Sequence, residues 1–306
     1  KYHKNNPDPP TDQTINTELS AFRGFFDWCK EKKIYVQEIK YPYLDIDTSK
    51  NILKNPSWSD EDWMAMVYYL RTWEKKDINI NGNLRKGKFY KQVFCCFMKV
   101  LVNSGLRTHE ALLLKWDDVL LKSRTRTVKS GKDQGKKKRD VIAEIQVNPK
   151  TKSGRRLVIC NAGIYFEQLY KLYKGQLGRS PQGSEYVFQN VGTASGKDAF
   201  IGKPLNDTFF RRLWYECRDS FEQEKYPLTN RYTFHSCRAY FINTLLECGK
   251  PPAVVADLVG HSIKTMELHY KNIKLRGMTN ELVDIRKKKL REMDFLAFEL
   301  DEVSDI

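Results

Sequence analysis

Apolar positions recur at steps of three and four through much of the chain, the spacing of one face of an α-helix. From Thr14 to about Lys33 the positions Ile15, Leu19, Phe22, Phe25, Phe26 and Cys29 form such a face, so a single amphipathic helix is predicted that cannot bury it alone. Before it, Pro7, Pro9 and Pro10 make residues 1–13 a disordered lead-in or linker; after it, Ile34 to Thr48 reads as irregular. Ser59 with Asp62 resembles a capping box opening a helix through Trp63, Met66, Val67, Leu70 and Trp73. Gly82 and Gly87 mark a polar connection. Phe89 to Asn103 carries Val93, Phe94, Cys96, Phe97, Val100 and Leu101, a strongly apolar helix that ends at Ser104-Gly105. Further helices are predicted over Ile164 to Tyr173 and from a cap at Asn206 or Asp207 through Phe209, Phe210, Leu213, Trp214 and Cys217. Between them, the glycine-rich stretch Gly175 to Lys203 reads as loop around the short apolar run Tyr186-Val187-Phe188.

The pattern becomes strand-like over Val141 to Val147 and Arg156 to Cys160. Their connection is a hairpin turn in which Gly154 supplies the permissive backbone and Lys152 stands at the tip; Lys150, two residues away, faces the same side. Ahead of these strands, the basic run Lys122, Arg124, Arg126, Lys129, Lys132, Lys136, Lys137, Lys138 and Arg139 reads as a solvated, mobile loop. The expected architecture is mainly α with a small antiparallel β-sheet.

Candidate chemistry concentrates between His235 and Tyr270. His235 and Arg238, three apart on a helix, share a face and can reach one anion. Gly249, Pro251 and Pro252 supply a stop and a fresh start, and Gly260 ends the next helix, so His261 sits at a turn. Nine residues later, Tyr270 is within reach of folding back on it. A cationic anchor, two proton carriers and a phenol, without a carboxylate pair or thiolate cluster for a metal, point to attack on a phosphodiester with no cofactor. Upstream, Arg107 opens a helix after Gly105, and Glu110 lies one turn on. The pair has two readings: a guanidinium held bidentately near N–H groups biased towards an anion, or an exposed i,i+3 ion pair worth about 0.2–0.5 kcal/mol. For Arg107 alone the second is simpler.

Charge adds weight to the phosphate reading: 53 Lys and Arg against 38 Asp and Glu leave a net +15, which favours a polyanionic partner through counterion release. Arg211 and Arg212 are further candidates for phosphate contact. Seven cysteines, with Cys95 and Cys96 adjacent, form no CxxC ladder and read as small buried hydrophobes in a reducing compartment. No run of eighteen apolar residues and no apolar leader appear, so a soluble, cytoplasmic protein is expected. The first residue is Lys1 rather than methionine, which is expected to reflect truncation.

Taken in order, Gly-Leu-Arg107-x-x-Glu110, Lys152 in Lys-Ser-Gly, His235-x-x-Arg238, Gly260-His261 and Tyr270 resemble the tyrosine recombinase (phage integrase) family. The resemblance spans roughly Ser57 to Asn272, and Thr14 to Cys29 looks like the last helix of that family's core-binding domain. Three departures stand out: about one helix where that domain has several, a longer lysine-rich insertion, and Cys237 where many relatives have leucine. The resemblance implies a linker and core-binding remnant over 1–56, a catalytic domain over 57–277 and a tail over 278–306. It implies site-specific recombination for a mobile element, with Tyr270 as nucleophile forming a 3′-phosphotyrosyl link and Arg107 and Arg238 clamping the phosphate. His261 would donate to it, Lys152 would protonate the leaving oxygen, and His235 would accept the phenol proton or act as a further donor. Tyr232 and Tyr240 are the next candidates for nucleophile, and Lys136, Lys137, Lys138, Arg139, Arg211 and Arg212 are candidate DNA contacts. Implied partners are double-stranded DNA, a homo-oligomer that is tetrameric at synapsis, and accessory DNA-bending proteins. Two rivals remain. A type IB topoisomerase shares the chemistry, but compact size and a tail after the nucleophile favour the recombinase; a catalytically silent DNA-binding protein would not need every catalytic residue. The tail places Leu282, Ile285, Leu290, Met293, Leu296 and Leu300 at mostly three- and four-residue steps, too apolar a face to stay in water. It is expected to dock, on its own domain or, as in relatives, on a neighbouring protomer.

Overall fold

The computed structural model describes residues 12–35, 37–40, 42, 56–76, 84–127, 135–148, 154–192, 201–264 and 266–267, and the chain separates into two units, 1–54 and 55–306. In the first, α1 (Asp12–Glu31) forms where the apolar spacing places it. Phe22, Phe25 and Trp28 on it are exposed, and Phe25 packs on Phe26 and Trp28 with ring centres 5.4 and 6.2 Å apart.

In the second unit, α2 (Asp60–Trp73) starts at Ser59, whose hydroxyl accepts from the Asp62 amide at 3.1 Å. Next comes α3 (Leu84–Ser104), longer than the apolar run predicts, whose Val93, Phe94, Phe97, Val100 and Leu101 are fully buried. It packs against α5 (Gly163–Leu177) and α7 (Phe234–Glu247), so an element apolar on several sides sits at the centre of the core. Between α3 and α5 run the short α4 (Thr108–Leu112), a 3₁₀ turn at Trp116–Asp118, and the strands β1 (Val119–Thr127), β2 (Lys137–Val147) and β3 (Arg156–Cys160). They form one antiparallel sheet in that order, in register Val119↔Ile145 to Thr127↔Lys137 and Ala143↔Cys160 to Val147↔Arg156. α6 (Asp207–Glu224) is capped by Asn206, which accepts from the Phe209 amide at 2.8 Å.

The basic run differs from its expected loop. Lys122, Arg124 and Arg126 lie on β1, and Lys137, Lys138 and Arg139 on β2. Period-two spacing lets charges occupy the solvent side of a paired strand, and acidic residues then meet them: Lys122 donates to Glu144 at 2.6 Å, and Arg124 and Arg126 to the buried Asp140 at 3.3 and 3.0 Å. Residues 128–134 and the hairpin tip 149–153, with Lys150 and Lys152, lie outside the described residues, as do Tyr270, the tail and the lead-in 1–11. Six of the seven cysteines are buried as expected, and burial pushes the Cys96, Cys160 and Cys237 thiols up to about 12. Cys248 is the exception, exposed at the C-cap of α7. Among the described residues no helix is long and apolar enough to cross a membrane.

Candidate active site

The site is built where three chain reversals meet. At the first, Gly105 follows α3 with φ +62, and an added Cβ would lie 2.4 Å from a ring carbon of Phe241, so both backbone and space require glycine. Arg107 then caps α4: its amide donates to Glu110 Oε2 at 2.8 Å, and its Nη1 donates to Glu110 Oε1 at 2.9 Å. At the second, Thr233 caps α7, with its amide donating to Ser236 Oγ at 3.0 Å. His235 stands in the first turn, exposed, and Arg238 one turn on, buried. Tyr232 holds that entry in place. Its ring stacks on Trp58 at 4.0 Å, and its hydroxyl donates to the buried Asp62 at 2.8 Å. At the third, α8 (Pro252–Val259) begins with proline at its first turn and ends on Gly260 in the left-handed region at φ +65; the His261 amide then donates back to Ala256 O at 3.0 Å. Phe241, Ile242 and Leu246 of α7 pack with Val255, Ala256 and Val259 of α8 and with Met266, locking the last two reversals together.

Arginines join these reversals. Arg107 Nη2 donates to Gly260 O at 3.0 Å; Arg238 donates to Gly105 O at 2.5 Å and to Val259 O, and its Nη1 lies 4.0 Å from Glu110 Oε2. The ion pair of Arg107 and Glu110 is therefore not an exposed one, since the Glu110 side chain is only 1% exposed. Nor is it bidentate. Arg156 at the start of β3 takes the carboxylate fork instead, Nη1 to Oε1 at 2.9 Å and Nη2 to Oε2 at 2.6 Å, and sends Nε to Leu258 O at 3.0 Å. Burial alone would raise the Glu110 pKa, but hydrogen bonds from Arg156 and the Arg107 amide, with both charges, hold it below the usual carboxylate range. Burial and repulsion from Arg107 pull the Arg238 pKa down, a cost that an arriving anion removes.

Beside this node a cleft of about 730 Å³ opens, lined by Arg107, His235, Arg211, Arg218 and Arg231 above Leu205 and Trp214. His235 titrates below its ordinary value because of partial burial and the charges of Arg238, Arg107 and Arg211, against which Asp207 pulls the other way. The neutral imidazole therefore dominates at neutral pH, a state able to accept a proton.

Of the residues singled out from the sequence, the fold brings together Arg107, Glu110, Arg238 and the Gly260-His261 turn, and His235 lines the adjoining cleft with Arg107. Lys152 and Tyr270 lie outside the described residues. Arg211 lines the cleft while pairing with Asp207 at 2.6 Å, and Arg212 sits over the Phe209 ring at 5.5 Å. Lys137, Lys138 and Arg139 begin β2, and Lys136 precedes it; Val147, opposite Arg156, is ten residues on, about 30 Å along an extended strand. Tyr240 donates its hydroxyl to Asp60 at 3.0 Å, so it and Tyr232 are both committed to carboxylates. Arg156 escaped the sequence reading because a strand's first residue carries no signal of a partner 46 positions away; Arg218 and Arg231 escaped because isolated arginines in a basic chain carry none.

The fold resembles that of XerH site-specific recombinase, solved bound to a palindromic difH substrate as a post-cleavage complex: TM-score 0.57, 17% identity, 90% of this chain and 68% of that one. It also resembles Tn1549 transposon integrase, solved with transposon right-end DNA: TM-score 0.53, 17% identity, 84% of this chain and 74% of that one. No curated protein matches the chain. The model of the phage integrase family matches residues 80–275, which span all three reversals and the whole arginine node. The chain therefore belongs to the phage integrase family and is a tyrosine site-specific recombinase.

Proposed function

We propose that this recombinase cleaves and rejoins DNA strands at a specific site through a 3′-phosphotyrosyl intermediate on Tyr270, serving as the integrase of a mobile element. The observation that carries the reading is the arginine node: Arg107 and Arg238 are held by consecutive carbonyls at one helix end, against one buried carboxylate, beside a cationic cleft. Two guanidinium groups fixed before substrate arrives suit the non-bridging oxygens of a phosphate, whose charge grows as phosphorus becomes five-coordinate.

The phenol oxygen of Tyr270 attacks phosphorus; a P–O bond to tyrosine forms as the bond to the 5′-oxygen breaks. Lys152 gives a proton to that leaving oxygen, and neutral His235 takes the phenol proton. His261, carried by the turn whose Gly260 carbonyl binds Arg107, donates a further hydrogen bond to the phosphate. In the reverse sense a 5′-hydroxyl attacks the phosphotyrosine and the proton transfers run backwards. The bond energy is stored, so no nucleotide is consumed. That the Tyr232 and Tyr240 hydroxyls are engaged by Asp62 and Asp60 supports Tyr270 as nucleophile.

The test is Tyr270→Phe on a nicked duplex. DNA affinity is expected to survive and the covalent adduct to vanish; an adduct persisting in this variant moves the nucleophile elsewhere. Lys152→Ala should slow cleavage greatly, and a 5′-bridging phosphorothiolate, whose thiolate needs no proton, should restore much of the rate; rescue confined to Lys150→Ala would transfer the role to Lys150. We also propose assembly as a tetramer on DNA, aided by DNA-bending proteins, with the 278–306 tail docking in trans. Removing the residues after about Thr279 should leave site binding by a monomer and abolish strand exchange. Unchanged stoichiometry by analytical ultracentrifugation, with full recombination, would rule that out.

A further inference from the structure

We infer that Arg156 is a positioning residue for strand cleavage: it occupies the Glu110 fork and anchors the end of α8, so that Arg107 is turned to the cleft instead of being drawn onto Glu110. The inference rests on the strand-cleavage reading above. Three consecutive carbonyls at the end of α8 each receive a different arginine: Leu258 O from Arg156, Val259 O from Arg238 and Gly260 O from Arg107. These are carbonyls that a helix end leaves without intrahelical partners, at the negative pole of its dipole. β3, α7 and the start of α4 are thereby tied to one turn, and that turn carries His261.

Exposure separates the roles. The Arg156 side chain is 7% exposed and has both Nη groups and its Nε engaged, whereas Arg107 is 24% exposed and lines the cleft. Arg107 therefore has a path to a phosphate from the cleft, whereas Arg156 spends its Nε on Leu258 O and both Nη groups on the Glu110 carboxylate. Both compete for the same two oxygens. A carboxylate accepts an arginine fork most strongly when both oxygens face it, and Arg156 holds that arrangement. Arg107 is left one side-chain bond to Oε1, with its Nη2 on Gly260 O. Without the Arg156 fork, both Glu110 oxygens become available to the Arg107 guanidinium, a bidentate pairing that would withdraw it from the cleft.

Arg156→Lys keeps the charge and loses the fork; Arg156→Gln serves as a second variant if the first melts early. Each is made alone and in an Arg107→Ala background, with thermal melting as the check on folding. Inorganic phosphate binding by calorimetry is expected to weaken about 10-fold on Arg156→Lys in the wild-type background and not to weaken further beside Arg107→Ala. Cleavage of a nicked duplex at saturating DNA should fall on the order of 10–100-fold, with DNA affinity within about twofold of wild type. Phosphate affinity that falls equally in both backgrounds, or in neither, overturns the inference, because a merely structural arginine shows no such dependence on Arg107. If the variants show this dependence and the wild-type protein forms no phosphotyrosyl adduct, the strand-cleavage reading falls and the positioning stands.

Discussion

Two arginine-rich regions of this molecule use the same residue types to opposite ends. At the node around Glu110, Arg107, Arg156 and Arg238 come from three elements, converge on one buried carboxylate and one helix end, and carry a surplus of two positive charges. On the β1–β2 hairpin, Lys122 meets Glu144, while Arg139 meets Glu167 at 2.7 Å and Ser123 at 2.7 Å, all near solvent. Ion pairs at a wet surface trade one hydration shell for another and gain little. Buried guanidinium groups that outnumber their carboxylates are costly until an anion arrives, which is the property a phosphate-binding site needs. The lesson is that cation density along the sequence did not mark the site; the convergence of arginines from three separate elements on one buried carboxylate and one helix end did.

The contrast breaks most sharply at Glu110. Glu110→Gln leaves three guanidinium groups without their shared counter-charge and should cost about 3–5 kcal/mol of stability, read by urea denaturation. Loss of less than about 1 kcal/mol would equate the node with a surface pair. The acid side carries the same signature. Because the folded-state pKa of Glu110 is depressed, its contribution is fully present above the ordinary value of 4.5 and is lost as pH falls through the depressed value. Wild type should therefore lose an acid-sensitive part of its stability that Glu110→Gln lacks.

Next in size is Arg238→Lys, which keeps a charge but cannot hold Gly105 O and Val259 O while facing a phosphate. Cleavage on the order of 10²–10³-fold slower is expected, measured as single-turnover adduct formation. A smaller effect sharpens the role of the cleft charges. Arg211 helps hold the His235 pKa below 6.5, so in Arg211→Gln the acid limb of the cleavage rate should move to higher pH. An unmoved limb would mean that His235 is not the group that titrates.

The smallest effects belong to the hairpin. A double-mutant cycle on Lys122 and Glu144 should return about 0.2–1 kcal/mol. If the hairpin meets DNA, replacing Lys136, Lys137 and Lys138 with glutamine should flatten the salt dependence of binding. The log–log slope should fall by about 0.9 for each phosphate no longer neutralised, with Arg139, already forked on Glu167, adding less.

By itself, the amino-acid sequence determined where the main helices lie, the cap at Ser59, the glycine stop at Gly260 and the helix that carries His235 and Arg238, because each follows from spacing or from a residue's own backbone preference. The same holds for the ordered motifs that place the chain among the tyrosine recombinases. What it left undecided was who pairs with whom. A run of lysines and arginines reads as loop until Asp140 and Glu144 are seen on the neighbouring strand and Glu167 on α5, and an i,i+3 arginine–glutamate pair reads as exposed until burial and Arg156 are seen. Local rules set secondary structure through neighbours a few residues away. Competition between two arginines for one carboxylate, one of them 46 residues distant, exists only once tertiary packing has closed around it.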